Sequence, residues 1–197
     1  PPFYWKFRAG DIYNYYRDIS ESTPLPMVVY NIQLAGLMDM DLLLKLAALP
    51  NVHGLKYTAR SHDEMGFIKE KLGPDFMIYS GCDEMAFSGM CSGADGIIGS
   101  FYNLFPDLYK QILKKVEESD IKGGMRLQRI ADEVIFAALK YGFPSILHNM
   151  MNWRGLDSGY SRRPFYNYQD SELEGLKEDI RRIRDRYQAE ELDMFRL

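Results

Sequence analysis

The chain has 197 residues, 46% of them hydrophobic and 26% charged, the balance of a globular protein long enough to bury one sizeable core. A formal net charge of -4 and a pI near 5.5 leave no basic surplus for a phosphate backbone or an anionic membrane, so no nucleic-acid or membrane partner is expected. No run reaches the ~20 apolar residues that a bilayer span needs, and Cys82 and Cys91 are too few for a disulfide framework, which makes the cytoplasm the expected compartment.

The N-terminal segment, Pro1-Pro2-Phe3-Tyr4-Trp5-Lys6-Phe7, lacks an initiator Met and a preceding strand, and reads as a chain entered partway through. A helix is expected over 11 to 19. Between 25 and 103, short β-rich runs alternate with amphipathic stretches, the pattern of βαβ units and a parallel sheet. The strands fall at 25 to 32 (LPMVVYNI), 52 to 58 (VHGLKYT), 76 to 81 (FMIYSG) and 96 to 100 (GIIGS). Asp39 can cap a helix carrying Leu42, Leu43, Leu46 and Leu49, ended by Pro50, and similar helices fit 62 to 72 and 84 to 92. Four such strands cannot close a barrel. After 103 the strands stop. Helices are expected over 106 to 116 and 121 to 141, the second with Leu127, Ile130, Val134 and Leu139 on one stripe and Gly142-Phe143-Pro144 ending it. A loop-rich stretch from Trp153 to Gln169 leads to a last helix opened by Ser171-x-x-Glu174 and striped by Leu173, Leu176, Ile180, Ile183 and Tyr187. One domain is expected over 1 to 197, with βα units over 1 to 103 and a mainly helical region over 104 to 197.

Polar groups gather at the carboxyl ends of these strands: Tyr30 and Asn31, Lys56 and Thr58, Gly81 with Asp83 and Glu84, then Ser100, Tyr102 and Asn103. In parallel α/β folds that end carries the active site. Lys56 lies in a strand that otherwise reads as buried on both faces, where a charged amine is costly unless paired or neutralised. A solvated lysine is almost wholly protonated and attacks carbonyls poorly, whereas desolvation frees its lone pair. Spacing alone slightly favours a lysine that snorkels from the strand end to pair with an acid. Tyr30, closing the neighbouring strand, suits a proton carrier or a core aromatic. Asp83 and Glu84 could hold substrate hydroxyls or merely suit a helix start. His53, His62 and His148 show no ligand spacing, so no metal site is expected. The Gly93 to Ser100 run has no dinucleotide fingerprint, and its glycines suggest close backbone approach. Arg181, Arg182, Arg184 and Arg186, interleaved with acids, read as a solvated helix face.

Taken in order, Met27-Val28-Val29-Tyr30-Asn31-Ile32, Gly54-Leu55-Lys56-Tyr57-Thr58, Gly81-Cys82-Asp83-Glu84 and Gly93-Ala94-Asp95-Gly96-Ile97-Ile98-Gly99-Ser100-Phe101-Tyr102-Asn103 resemble the N-acetylneuraminate lyases, which belong with dihydrodipicolinate synthase among the (β/α)8 class I aldolases. The resemblance runs from Pro2 to at least Phe165. It implies the C-terminal part of a TIM barrel, Lys56 as the Schiff-base lysine and Tyr30 as the catalytic tyrosine. It also implies Thr58, Gly81, Asp83, Glu84 and Ser100 as substrate contacts, and Tyr4 as the tyrosine given to a neighbouring subunit's proton relay in a homotetramer. The implied reaction is cleavage of N-acetylneuraminate to N-acetylmannosamine and pyruvate without a cofactor. Other pyruvate-dependent aldolases and a catalytically incompetent chain are the alternatives. Departures from the family pattern are Gln33 where a proline usually follows Tyr-Asn-Ile, a loop up to Asp39 about two residues short, a divergent stretch from His148 to Trp153, and no Gly-Ser/Thr-Thr-Gly-Glu loop to grip the pyruvate carboxylate.

Overall fold

The computed structural model describes residues 1–195 and forms two units, Pro1–Ile98 and Gly99–Leu197. In the first, α1 (Ala9–Ser22), β1 (Met27–Ile32), α2 (Met40–Ala47), β2 (Val52–Thr58), α3 (His62–Leu72), β3 (Met77–Ser80), α4 (Ala86–Cys91) and β4 (Gly96–Ile97) alternate along the chain. The Asp39 carboxylate accepts from Leu42 N at 2.8 Å, satisfying one of the unpaired amides at the start of α2. That helix then buries Leu42, Leu43 and Leu46. α4 is preceded by a 3-10 turn at Asp83–Met85, so the helix expected over 84 to 92 starts later than its acidic residues suggest. β3 and β4 are shorter than expected.

All four strands are parallel and lie in chain order, β1-β2-β3-β4. A strand order that never reverses is the wall of a barrel rather than a doubly wound sheet. The pairing of β1 with β2 contains one irregularity: Met27 is opposite Val52, but Val28 is opposite Gly54, which leaves His53 as an extra, exposed residue. Beyond this bulge Tyr30 is opposite Lys56, and Lys56 is opposite Tyr79.

Successive side chains alternate between the two faces of the sheet. Val29, Asn31, Leu55, Tyr57, Ile78 and Ser80 are buried on the helix-covered face, in or beside a core that includes Leu42, Leu43, Leu46, Met65 and Ile68. The other face, which in a barrel looks inward, carries Val28, Tyr30, Ile32, Lys56, Thr58, Met77 and Tyr79, all half-buried or exposed. β2 is therefore not buried on both faces as its composition suggests. Its run of apolar residues reflects burial on one side, and Lys56 sits on the more open one.

In the second unit α5 (Pro106–Glu117), α6 (Ile121–Ala138), α7 (Ser145–Trp153) and α8 (Glu174–Tyr187) form a helical assembly in which α6 packs on both α5 and α8. Asp120 caps α6 by accepting from Gly123 N at 2.9 Å. The stripe Leu127, Ile130, Val134 is buried, but the helix stops at Ala138 and leaves Leu139 exposed. α7 occupies a stretch to which the sequence pattern assigned no element. The last helix does not open on a Ser171/Glu174 box: a 3-10 turn, Asp170–Leu173, precedes it, and the reciprocal cap joins Gln169 to Glu172, whose carboxylate accepts from Gln169 N at 2.7 Å. Leu173, Leu176, Ile180 and Ile183 are buried as their spacing requires, and Tyr187 donates to Glu133 at 2.7 Å.

Candidate active site

Lys56 is placed by β2, two residues from the strand's end, with its side chain on the inward face and half-buried. Its Nζ lies 4.2 Å from the centre of the Tyr30 ring, within the distance at which an ammonium is held by an aromatic face. Among the described residues no acid is paired with Lys56, so the amine is not snorkelling to a carboxylate. Tyr30 keeps its register with Lys56 despite the short loop that follows it. The next residue closes that loop against the strand: the buried Asn31 side chain accepts from Met38 N at 3.0 Å.

Thr58 is two residues beyond Lys56 and on the same face, and its Oγ1 is buried without a hydrogen-bond partner. Gly81 follows β3 and is tied to β2 by its own amide, which donates to Tyr57 O at 2.8 Å. Lys56, Tyr30, Thr58 and Gly81 are thus brought together at the carboxyl ends of neighbouring strands. Asp83, buried, and Glu84, half-buried, lie in the turn directly after. Burial pushes the Cys82 thiol above its ordinary range, Glu84 and Asp83 push in the same direction, and Arg60 and Lys56 pull the other way. The two acids and the lysine therefore share one electrostatic neighbourhood around Cys82. Ser100 belongs to the second unit, where its carbonyl accepts from the Asn103 side chain at 3.0 Å. Tyr4 is 85% exposed, at a positive φ of 84°, with its ring edge-on to Trp5 at 5.1 Å.

Two residues outside the expected set frame this arrangement. Tyr79 is the β3 partner of Lys56, on the same face, and its ring lies over the bare backbone of Gly96. Counting back two from Gly81 would have found it, since strand positions of equal parity share a face. Asp95 fastens β3 to the start of β4: its carboxylate accepts from Ile78 N at 2.7 Å and pairs with Lys69 at 2.8 Å, while Lys69 also donates to Phe76 O at 2.9 Å. The Gly93 to Gly96 run is therefore organised around its acid as well as its glycines. Behind the sheet, Tyr57 donates to Glu64 at 2.5 Å, and burial together with that bond pushes its phenol far up. No helix among the described residues is long and apolar enough to cross a membrane.

Residues 1–183 match the dihydrodipicolinate synthetase family. The N-acetylneuraminate lyase of Rhizobium meliloti (strain 1021) is 32% identical over 182 residues, 91% of this chain and 60% of that protein. That of Escherichia coli (strain SMS-3-5 / SECEC) is 36% identical over 180 residues, 89% of this chain and 60% of that protein. Among solved structures, the wild-type sialic acid aldolase of Ruminococcus gnavus superposes with a TM-score of 0.84 at 27% identity, covering 95% of this chain and 64% of that one. CdNal from Clostridium difficile in complex with mannosamine gives 0.85 at 27%, covering 92% and 63%. The chain spans about 60% of the length of the curated relatives it matches. Its parallel, sequentially ordered strands are part of a TIM barrel, and by sequence and by fold the chain belongs to the dihydrodipicolinate synthetase family.

Proposed function

We propose that this chain carries the imine-forming part of a class I aldolase site, and that the reaction is cleavage of N-acetylneuraminate to N-acetylmannosamine and pyruvate. The observation that carries the reading is Lys56 in register with Tyr30, its amine 4.2 Å from the ring. Support comes from the lyase names of the relatives, and from the solved structure of a Ruminococcus gnavus sialic acid aldolase described as a catalytic lysine mutant.

In this mechanism the free amine of Lys56 attacks the C2 ketone of the open-chain sugar acid, and loss of water gives an iminium that withdraws electrons from C3. Tyr30 takes the C4 hydroxyl proton as the C3–C4 bond breaks, releasing the aldehyde sugar and leaving an enamine on the lysine. Protonation at C3 and hydrolysis by one water release pyruvate and restore Lys56. Gly81, Asp83, Glu84 and Ser100 are assigned to the hydroxyl-bearing tail, Thr58 to a further sugar contact, and Tyr4 to the site of a neighbouring subunit in a homotetramer. The outward exposure of Tyr4 supports that last assignment.

Borohydride reduction with pyruvate, followed by peptide mass mapping, tests the central claim: the adduct is expected on Lys56 and is absent from Lys56→Met. A folded sample with Lys56 unmodified defeats the reading. Pyruvate release from N-acetylneuraminate, compared with release from 2-keto-3-deoxy sugar acids, then selects the substrate.

A further inference from the structure

Gly81 has no conformational need to be glycine. Its φ is not among the positive values found at Gly36, Gly73, Gly93, Gly155 and Gly159, so a residue with a side chain could adopt its backbone. What forbids a side chain is space. A methyl group on Gly81 would overlap Thr58 Oγ1, approach Thr58 Cβ to 3.0 Å and stand 3.2 Å from Lys56 Cε. The backbone cannot retreat freely, because the Gly81 amide is bonded to Tyr57 O at 2.8 Å. Turning Thr58 does not fully clear the site, since one of its two other rotamers puts the methyl where the hydroxyl was and Thr58 Cβ stays 3.0 Å from the added group in both.

The reading of Lys56 as the imine-forming residue says nothing of what holds its four-carbon arm in place, and the following rests on that reading. We infer that Gly81 is a positioning residue for Lys56: by lacking a side chain it leaves a slot, walled by Thr58, through which the end of the lysine arm passes beside the Tyr30 ring. Thr58 and Gly81 act as one unit. The hydroxyl fills the room that the missing methyl leaves, and the pair fixes how far Lys56 Cε can lean toward β3. An added methyl at 81 displaces the arm through Thr58, and removing the Thr58 hydroxyl in that background restores the space.

The test is a double-mutant cycle on Gly81→Ala and Thr58→Ala, read by two measurements on Lys56 at a temperature where circular dichroism shows every variant folded. The first is the rate of borohydride trapping with pyruvate. Gly81→Ala is expected to slow it at least tenfold, and the double variant to recover to within a factor of about two of Thr58→Ala alone, a non-additivity of the kind expected for residues in contact. The second is the labelling rate of Lys56 by trinitrobenzenesulfonate, normalised to the exposed Lys122, which reads the position of the amine with no imine chemistry. A several-fold change in Gly81→Ala, reversed in the double variant, is expected here too. If the unsubstituted chain traps no pyruvate while the labelling cycle behaves as described, the imine reading fails and the positioning role stands. Labelling and trapping unaffected by Gly81→Ala, or effects that simply multiply in the double variant, overturn the inference.

Discussion

Tyr30 presents two chemically separate features to Lys56, a ring face and a hydroxyl, and they can be removed one at a time. Tyr30→Phe keeps the ring, so pyruvate trapping on Lys56 is expected to stay close to the unsubstituted rate. Carbon–carbon cleavage should fall by about 10²–10⁴, the usual cost of losing a general acid or base. Tyr30→Leu also removes an ammonium–ring contact worth about 0.5–2 kcal/mol, and should alter trapping as well as cleavage. A pyruvate-release assay run beside the trapping assay separates the two. His62 offers a different residue-scale test. It is buried, its Nδ1 lies 3.0 Å from Ser88 Oγ, and its Nε2 has no partner. Burial lowers its pKa from the ordinary 6.5, so the folded chain takes up a proton less readily than the unfolded chain. Protonation therefore favours unfolding, and the stability from a neutral His62 is lost as the pH falls below about 6.5. Thermal midpoints measured between pH 7.5 and 5 should drop toward acid, and His62→Gln should flatten part of that slope. An unchanged slope in the variant would show that other groups carry it.

Among the elements, the backbone pairing of β3 with β4 is reinforced by one acid. Asp95 binds the Ile78 amide and the Lys69 ammonium at once, with both side chains about four-fifths buried. Hydrogen bonds to charged groups contribute about 1.5–3 kcal/mol. Asp95→Ala should lower stability by about 2–3 kcal/mol in urea titration, and Asp95→Asn, which keeps an acceptor for Ile78 N, by roughly half as much. The sequence displays the glycines of this segment plainly and the acid's role poorly, because the role depends on a lysine 26 residues away. The same limit recurs elsewhere. β2 and α3 have the bounds their local patterns predict, since strand composition and a capped amphipathic stretch are local properties. Which face of β2 is open is not local: it is set by where the helices pack, and so Lys56 is half-buried rather than enclosed. α7 begins directly after a Phe-Pro pair and carries His148, Asn149 and Asn152, polar residues that blur a helical stripe. Ser171 and Glu174 have capping-box spacing, yet the box forms two residues earlier because a 3-10 turn intervenes.

At the scale of the molecule, a four-stranded parallel sheet leaves its first and last strands as edges, and edges invite pairing with other chains. Val28 is 44% exposed on the inward face of β1. Val28→Lys should reduce self-association of the isolated chain, a result that sedimentation velocity can check; association unchanged by the substitution would place the contact elsewhere. The bulge at His53 matters on the same scale. Had the pairing begun by Met27 and Val52 run on without it, Tyr30 would face Leu55. One surplus residue at the foot of β2, remote from any chemistry, sets the phase of everything above it. Replacing His53, whose side chain is exposed, should leave trapping on Lys56 intact, and so should deleting it, because Gly54 then follows Val52 directly and Tyr30 stays opposite Lys56; loss of trapping on deletion would show that the bulge itself is needed. The reaction centre is in this sense counted along the chain: the bulge takes up the one residue that would otherwise set every reactive group of β2 a step out of line with β1.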